Sequence, residues 1–241
     1  MKALSLFVTG TDTGIGKTFV SCALLRGFCA RNYRAAALKP IAAGAKLRNG
    51  IWHNEDMDLL LDASNITLQP RLSTPYLLHE SVAPHIGAAR QGMRLDIAHI
   101  QTCYYDAAQF ADVIVVEGVG GVCVPLDETR DTSDLAIMLK LPILLVVGLR
   151  LGCINHALIS AEVISTRGLM LAGWIANAVE PDMPYALENV ETVQQRLDRQ
   201  YNAPLLGIIP RLEGKRAFET TSYLDIDTLL ERLRVLTYTS T

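Results

Sequence analysis

The sequence lacks an excess of charge of either sign and a long apolar run, and each absence removes a class of protein. Lys and Arg number 22 against 25 Asp and Glu, so the formal net charge of -3 gives no indication of nucleic-acid binding. The longest apolar runs, such as Leu141–Leu149 between Lys140 and Arg150, are far shorter than the ~20 residues that a membrane-spanning helix needs. We therefore expect no nucleic-acid partner and no membrane partner.

Paired cysteines and a secretory signal are also missing. Five cysteines form no CxxC pair and have no His at zinc-finger spacing, so we expect reduced thiols in a core. The short apolar run at the start enters a glycine-rich segment with no small-residue cleavage site behind it, which favours a cytoplasmic protein. The 241 residues suffice for one domain, residues 1–241, and we expect the Thr- and Ser-containing tail after Leu236 to be loosely ordered.

Short aliphatic runs alternate with longer stretches of helical periodicity, which is the pattern of repeated βαβ units. The predicted strands are Leu4–Thr9, Arg34–Leu38, Val113–Glu117, Ile143–Val147, Leu171–Ala176 and Leu205–Ile209. The predicted helices are Lys17–Arg31, Asp96–Phe110, Ile154–Arg167 and Pro184–Tyr201. Because most strands lack polar alternation, we predict an α/β fold with a doubly wound, mainly parallel sheet and helices on both faces. We expect the segments Ala42–Trp52 and Leu68–Ser81 to be surface excursions near the site.

The strongest motif is the run from Gly10 to Thr18, GTDTGIGKT, between a predicted strand and a predicted helix. Its glycines permit a tight turn with inward N–H groups, and the helix N-terminus favours phosphate. The spacing predicts that Lys17 bridges the β- and γ-phosphates of ATP and that Thr18 offers its hydroxyl to Mg²⁺, as in folds of the P-loop NTPase type. Thr11 stands where the common pattern has its first glycine, which points to a subfamily. The alternative is a glycine-rich turn without a ligand.

Three further places carry charge near the expected site. Glu117 ends a predicted strand at the sheet edge where such folds bind ligands, so it is a candidate for holding Mg²⁺; alternatively it is a helix cap or a solvated residue. Lys39 follows the second predicted strand and either points toward the phosphate loop or is solvated. The cluster Glu55–Asp58 is explained on spacing alone by carboxylates in the first turn of a helix.

Six separated segments carry a family resemblance, and GCINH at Gly152–His156 and GWIAN at Gly173–Asn177 are the most particular. The segments are Val8–Thr18, Leu38–Ala42, Val116–Gly121, Leu151–Ala157, Ala172–Asn177 and Ala203–Gly207. Together they resemble the dethiobiotin synthetase family over nearly the whole chain up to about Leu212.

The resemblance implies a reaction of biotin synthesis in which 7,8-diaminopelargonic acid, CO₂ (or bicarbonate) and ATP give dethiobiotin, ADP and phosphate. One amine captures CO₂ as a carbamate, whose oxygen attacks the γ-phosphorus. The second amine then attacks the carbamic-phosphoric anhydride and expels phosphate. Such chemistry depends on orientation and cationic stabilisation rather than on a protein nucleophile.

The resemblance also implies a role for each matching position. Lys17 and Lys39 would be catalytic and flank the carbamate and the γ-phosphate, while Thr18, Asp56 and Glu117 would hold Mg²⁺. The implied ATP contacts are Thr13, Gly14, Ile15, Gly16, Lys17 and Thr18, with Asn177 reading the adenine edge beside Pro210 and the segment after it. The implied substrate contacts are Lys39, Gly118, Gly120, Gly121, Gly152, Cys153, Ile154 and Asn155. In the family the last four bind the distal carboxylate from the neighbouring subunit, which implies a homodimer with sites at the interface.

One position departs from the family pattern. Ala43 stands just before Gly44, where the family usually carries a hydroxyl residue, so a hydrogen bond from that side chain is absent. Cys153 could be a reactive thiol at a helix N-terminus, but the implied chemistry needs none. His85 and His156 have no second ligand at metal spacing, so we expect them to shape the fold.

Two other functions have sequence requirements that this chain does not meet. A regulatory ATPase of the partition and cell-division switch type shares this fold, but such proteins usually bring an additional lysine near the start of the loop, where this chain has Thr9–Asp12. An amide-forming ligase resembling the cobyrinate amidases would normally need a glutamine-hydrolysing domain, for which we expect this chain to be too short.

Overall fold

A computed structural model describes residues 3–212 and 217–239 of the chain. The strands are β1 (Leu4–Gly10), β2 (Ala35–Leu38), β3 (Ile41–Ala43), β4 (Lys46–Arg48), β5 (Ile51–His53), β6 (Tyr76–Leu78), β7 (Val113–Glu117), β8 (Ile143–Leu149), β9 (Leu171–Ala178) and β10 (Leu205–Ile209). The helices are α1 (Lys17–Cys29), α2 (Glu55–Ala63), α3 (Pro70–Ser73), α4 (Pro84–Arg90), α5 (Ile97–Ala107), α6 (Thr132–Leu139), α7 (Cys153–Thr166), α8 (Ala186–Tyr201) and α9 (Ile226–Thr239). A 3₁₀ helix spans Ala217–Tyr223.

The six predicted strands form one parallel sheet in the order β10-β9-β8-β1-β7-β2. The carboxyl ends of these strands therefore lie along one edge. In the register of the sheet, Val8 is opposite Glu117, and Gly148 at the end of β8 is opposite Asn177. This arrangement places the turn after β1 beside the ends of β7, β8 and β9, where ligands bind in open α/β sheets.

Two apolar cores lie on opposite faces of the sheet. Alternation along β1 sends Leu6 and Val8 to the core beneath α1, α2 and α9, and sends Phe7 to the core beneath α5, α6, α7 and α8. Both faces are covered, which is why the strands read as continuous hydrophobic runs. The predicted doubly wound sheet with helices on both faces is confirmed.

The shorter elements lie where no helix or strand was predicted. The predicted excursions contain the antiparallel pair β4–β5, joined by a turn in which Asn49 and Gly50 have positive φ, and the parallel pair β3–β6. Helix α9, which was not predicted, spans Ile226–Thr239 and includes the start of the tail that we expected to be loosely ordered, because Leu229 and Leu233 keep its apolar face in the core. Residues 240 and 241 lie outside the described residues. Within the described ranges no helix is both long enough and apolar enough to cross a membrane.

Candidate functional site

The turn between β1 and α1 forms the floor of the site. Gly14 and Gly16 have φ of 72° and 85°, a left-handed conformation that glycine adopts without strain. Gly16 directly precedes the first turn of α1. The side chain of Ile15 is buried, so Ile15 presents only its backbone at the surface of the loop. The loop thus has the sharp turn and the helix N-terminus that a phosphate site requires.

Lys17 is buried at the start of α1. Its Nζ donates a hydrogen bond to the backbone carbonyl of Asp12 at 2.8 Å, across the loop. Burial lowers the pKa of Lys17 to about 8, although the carboxylate of Glu117 acts in the opposite direction. The ammonium therefore sits in a poorly solvated position, where a phosphate would stabilise its charge.

Lys39, one residue past β2, is held between two carboxylates. Its Nζ lies 2.5 Å from Oδ2 of Asp56, in the first turn of α2, and 2.6 Å from Oε1 of Glu117, at the end of β7. Burial opposes the charge, but Glu117 and Asp56 outweigh it, so the pKa of Lys39 lies above its ordinary value. Thr18 donates to the same Oε1 of Glu117 at 2.7 Å. Residues from α1, α2, β7 and the end of β2 thus converge on one point.

The oxygen atoms at this point suit a magnesium ion. Glu117 is fully buried, and its Oε2 has no hydrogen-bond partner among the described residues. Together with the Thr18 hydroxyl and the Asp56 carboxylate it offers hard oxygen donors of the kind that Mg²⁺ prefers. No group of three or more His, Cys, Asp or Glu side chains in the described ranges could hold a metal by itself. The residues therefore fit an ion that shares its coordination with nucleotide phosphates.

These residues line a cavity of about 740 Å³. Ten residues of the expected site are on its wall: Thr13, Gly14, Gly16, Lys17, Thr18, Lys39, Asp56, Glu117, Gly118 and Gly120. The rest of the wall lies outside the predicted site residues and is largely apolar: Phe19, Leu59, Ser81, Val82, Ala83, Pro84, Val119 and Val124. Ala43 also lines the cavity, so at this position the wall has a methyl group where the resembled family usually has a hydroxyl.

Other expected site residues lie outside this cavity. Asn177, buried at the end region of β9, donates from Nδ2 to the carbonyl of Ile15 at 2.8 Å, and so supports the loop directly. Gly121 lies beside the loop, since a Cβ added to it would come within 3.4 Å of the carbonyl oxygen of Gly10. Pro210 is exposed just after β10, and the segment after it is described only to Leu212 before residues 213–216, which lie outside the described residues.

The start of α7 is another expected site region outside the cavity. Gly152, Cys153, Ile154 and Asn155 do not line the cavity of their own chain. Cys153 is buried, with Sγ 3.9 Å from Oδ1 of Asn189, which gives it a structural surrounding. His85 likewise has a structural contact, since its Nδ1 lies 3.2 Å from the carbonyl of Pro125.

Two supports of the site were missed from the sequence. Thr132 at the start of α6 has its hydroxyl within 3.1 Å of the carbonyl of Gly121 and accepts from the N–H of Val124, so it holds the glycine-rich loop after Glu117. The capping box of Asp131 and Asp134 was a local signal that could have identified this helix start. The other missed support is the ion pair between Asp12 and Arg150, for which no local pattern exists.

Comparison with known proteins gives the same fold. The model of a family described as an AAA domain matches residues 5–216. Among solved structures, the septum site-determining protein MinD with Mg-ADP from Pyrococcus horikoshii OT3 is 17% identical, over 98% of this chain and 99% of that one, with a TM-score of 0.55. The MinC:MinD cell division protein complex of Aquifex aeolicus is 16% identical over 97% of this chain and 95% of that one, with a TM-score of 0.54. A ParA family ATPase of Chlorobium tepidum TLS is 14% identical over 99% of each chain, with a TM-score of 0.50. At identities this low the similarity shows the fold alone, which is the predicted α/β fold of the P-loop NTPase type.

Proposed function

Since the chain belongs to the AAA domain family and is a P-loop NTPase, we propose that it is a dethiobiotin synthetase, a cytoplasmic ATP- and Mg-dependent ligase. This family includes dethiobiotin synthetase. The substrates are then 7,8-diaminopelargonic acid, CO₂ and ATP, as the sequence resemblance implies.

The observation that carries the proposal is the position of Lys39. A nucleotide-binding loop needs the cation of Lys17, whereas Lys39 adds a second buried ammonium on the wall of the same cavity. A carbamate that attacks the γ-phosphorus brings a negative charge of its own next to the triphosphate, so a second cation there stabilises the transition state. The apolar wall that includes Leu59, Val82 and Val119 suits the methylene chain of the diamine.

Each of these residues has its own role in the proposed reaction. Lys17 binds the β- and γ-phosphates, and Lys39 orients the carbamate oxygen toward the γ-phosphorus. Thr18, Asp56 and Glu117 hold Mg²⁺, which when bound neutralises charge on the phosphate oxygens. The carbamate oxygen then forms a bond to phosphorus as ADP leaves, and the second amine displaces phosphate from the anhydride to close the ring. No side chain forms a covalent bond to the substrate, so positioning and charge supply the acceleration.

The distal carboxylate of the diamine requires a partner subunit in this proposal. Residues Gly152–Asn155 at the start of α7 do not line the cavity of their own chain, and Leu151 before them is 91% exposed. The N–H of Cys153 already donates to the carbonyl of Arg150, so in this proposal the N–H groups of Gly152, Ile154 and Asn155 bind the carboxylate of a substrate held in the cavity of a second copy. The active form is then a homodimer, which light scattering of the purified protein tests.

The enzymatic test is the dependence of product on each substrate. Purified protein is incubated with ATP, Mg²⁺, bicarbonate and diaminopelargonate; dethiobiotin is measured by mass spectrometry and phosphate by a colorimetric assay. We expect both products together, and neither when the diamine or bicarbonate is left out. Rapid phosphate release without the diamine, and no dethiobiotin with it, would contradict the proposal and favour a regulatory ATPase of the partition or cell-division type.

A further inference from the structure

Asp12 connects three parts of the nucleotide site. One carboxylate oxygen, Oδ1, accepts the N–H of Thr13 at 2.7 Å, and the other, Oδ2, is paired with the guanidinium of Arg150. Its backbone carbonyl accepts the hydrogen bond from Nζ of Lys17 at 2.8 Å. The orientation of this one residue therefore determines where the ammonium of Lys17 is held.

Arg150 is attached to the protein on both sides of this contact. It directly follows β8, the strand that pairs with β1, and its carbonyl accepts the N–H of Cys153 at 2.9 Å in the turn that begins α7. The neighbouring strands β1 and β8 are also joined where β1 ends, since the N–H of Thr11, the residue before Asp12, donates to the carbonyl of Val146 at 3.0 Å. Arg150 thus joins the phosphate loop to the turn before α7 through one side chain.

We propose that the Asp12–Arg150 ion pair positions the ammonium of Lys17 for the phosphates of ATP and fixes the phosphate loop to the start of α7, so that Arg150 is a positioning residue. The inference rests on the nucleotide site of the proposed function and does not depend on which second substrate is used. The loop hydrogen bond of Thr13 restrains the carboxylate from one side only, and Arg150 supplies the second restraint. Without it the carboxylate is held by the Thr13 N–H alone, so the Asp12–Thr13 peptide, whose carbonyl accepts from Lys17, is less restrained.

The exposure of the pair separates positioning from stability. The side chains of Arg150 and Asp12 are 34% and 47% exposed, and ion pairs of this kind contribute little to folding. The chain offers a control in Arg26 and Asp62, which join α1 to α2 without touching the loop: Arg26 is eight residues after Thr18, and the two side chains are 35% and 82% exposed. A variant of each arginine removes the same kind of contact, but only one of the contacts touches the phosphate loop.

The test is equilibrium binding of a fluorescent ATP analogue, with Mg²⁺, to the full chain. We expect Arg150→Ala and Asp12→Asn each to weaken binding by about tenfold, while Arg26→Ala changes it by less than about twofold. Arg150→Lys, which keeps the charge, should recover most of the loss. The double variant Asp12→Asn with Arg150→Ala should bind no worse than the weaker single variant, because both remove one contact. Thermal melts should show all variants folded with similar transition temperatures.

Several results would overturn the inference. These are wild-type binding by Arg150→Ala, equal losses in Arg150→Ala and Arg26→Ala, or losses that simply add in the double variant. If Arg150→Ala does not fold, Asp12→Asn against Arg26→Ala decides the question. The outcome is independent of dethiobiotin formation: binding that follows the expected pattern in a protein that makes no dethiobiotin would leave the inference standing and remove the proposed function.

Discussion

The ammonium of Lys39 lies 2.6 Å from Oε1 of Glu117, and both side chains are almost completely buried. Removal of the cation leaves a buried carboxylate with only Thr18 as a described partner, so we expect Lys39→Met to destabilise the fold by roughly 3 kcal/mol. Urea denaturation measures this. The double variant Lys39→Met with Glu117→Gln removes both charges and should recover most of the stability, but no activity. If Lys39→Met were as stable as wild type, the loss of the Lys39 ammonium would not leave an unpaired buried charge on Glu117, and the expectation would be wrong.

Lys17 is expected to contribute to turnover rather than to folding. A preorganised cation in such a site is worth about 3–4 kcal/mol, so Lys17→Ala should lower the rate of ATP-dependent product formation by about 10²–10³-fold. Steady-state kinetics with saturating ATP measures the loss. Lys46→Ala is the control, because Lys46 is an exposed lysine that does not line the cavity. Near-normal turnover in Lys17→Ala would contradict the phosphate-loop assignment.

The low pKa of Lys17 predicts a pH dependence of nucleotide binding. Burial lowers this pKa to about 8 in the free protein, and bound phosphates favour the ammonium, so the pKa rises in the complex. Binding therefore takes up a proton above about pH 8, and affinity should fall by up to roughly tenfold per pH unit as the pH rises past that point. Calorimetry in buffers of different ionisation enthalpy measures the proton uptake. Lys17→Arg, charged throughout this range, should show no such uptake; a pH-independent affinity in the wild type would contradict the assignment.

The cavity wall near Ala43 gives a prediction about the missing hydroxyl. Ser81 also lines the cavity and lies against Gly44, the residue after Ala43. We expect the Ser81 hydroxyl to serve the substrate in place of the absent one, so that Ser81→Ala raises the KM for the diamine about tenfold with little change in the KM for ATP. The combined variant Ala43→Ser with Ser81→Ala should restore the KM. An unchanged KM in Ser81→Ala would mean that no hydroxyl is needed at this part of the wall.

The parts of the fold and the site that can be predicted from the sequence are those formed by residues next to each other along the chain. The phosphate loop with Lys17 and Thr18 is a local motif, and the long apolar strands are recognisable one by one. Most of the segments that were missed are short, since α4 has 7 residues and α6 has 8, too few for a helical period to show. Helix α9 is the exception, because it has 14 residues and was not predicted either.

Contacts between distant segments could be anticipated only in part. The edge of the sheet predicts that Lys39 and Glu117 approach the loop, since the carboxyl ends of parallel strands meet there. That Asp56 closes on Lys39 from α2 depends on the path of the chain through β4 and β5, which no local pattern determines. The Asp12–Arg150 pair joins residues 138 positions apart, and its formation depends on the pairing of β1 with β8.

Asn177 has two possible contributions that one experiment separates. Its amide donates to the carbonyl of Ile15 in the phosphate loop, and the family resemblance gives it the adenine edge as well. Loss of the loop contact in Asn177→Ala should weaken ATP and GTP equally, because both carry the same phosphates. Loss of an adenine contact should weaken ATP alone and reduce the preference for ATP over GTP by about tenfold, the size of one lost hydrogen bond. We expect the reduced preference, measured by competition of each nucleotide against a fluorescent ATP analogue. Equal weakening of the two nucleotides would restrict Asn177 to holding the loop.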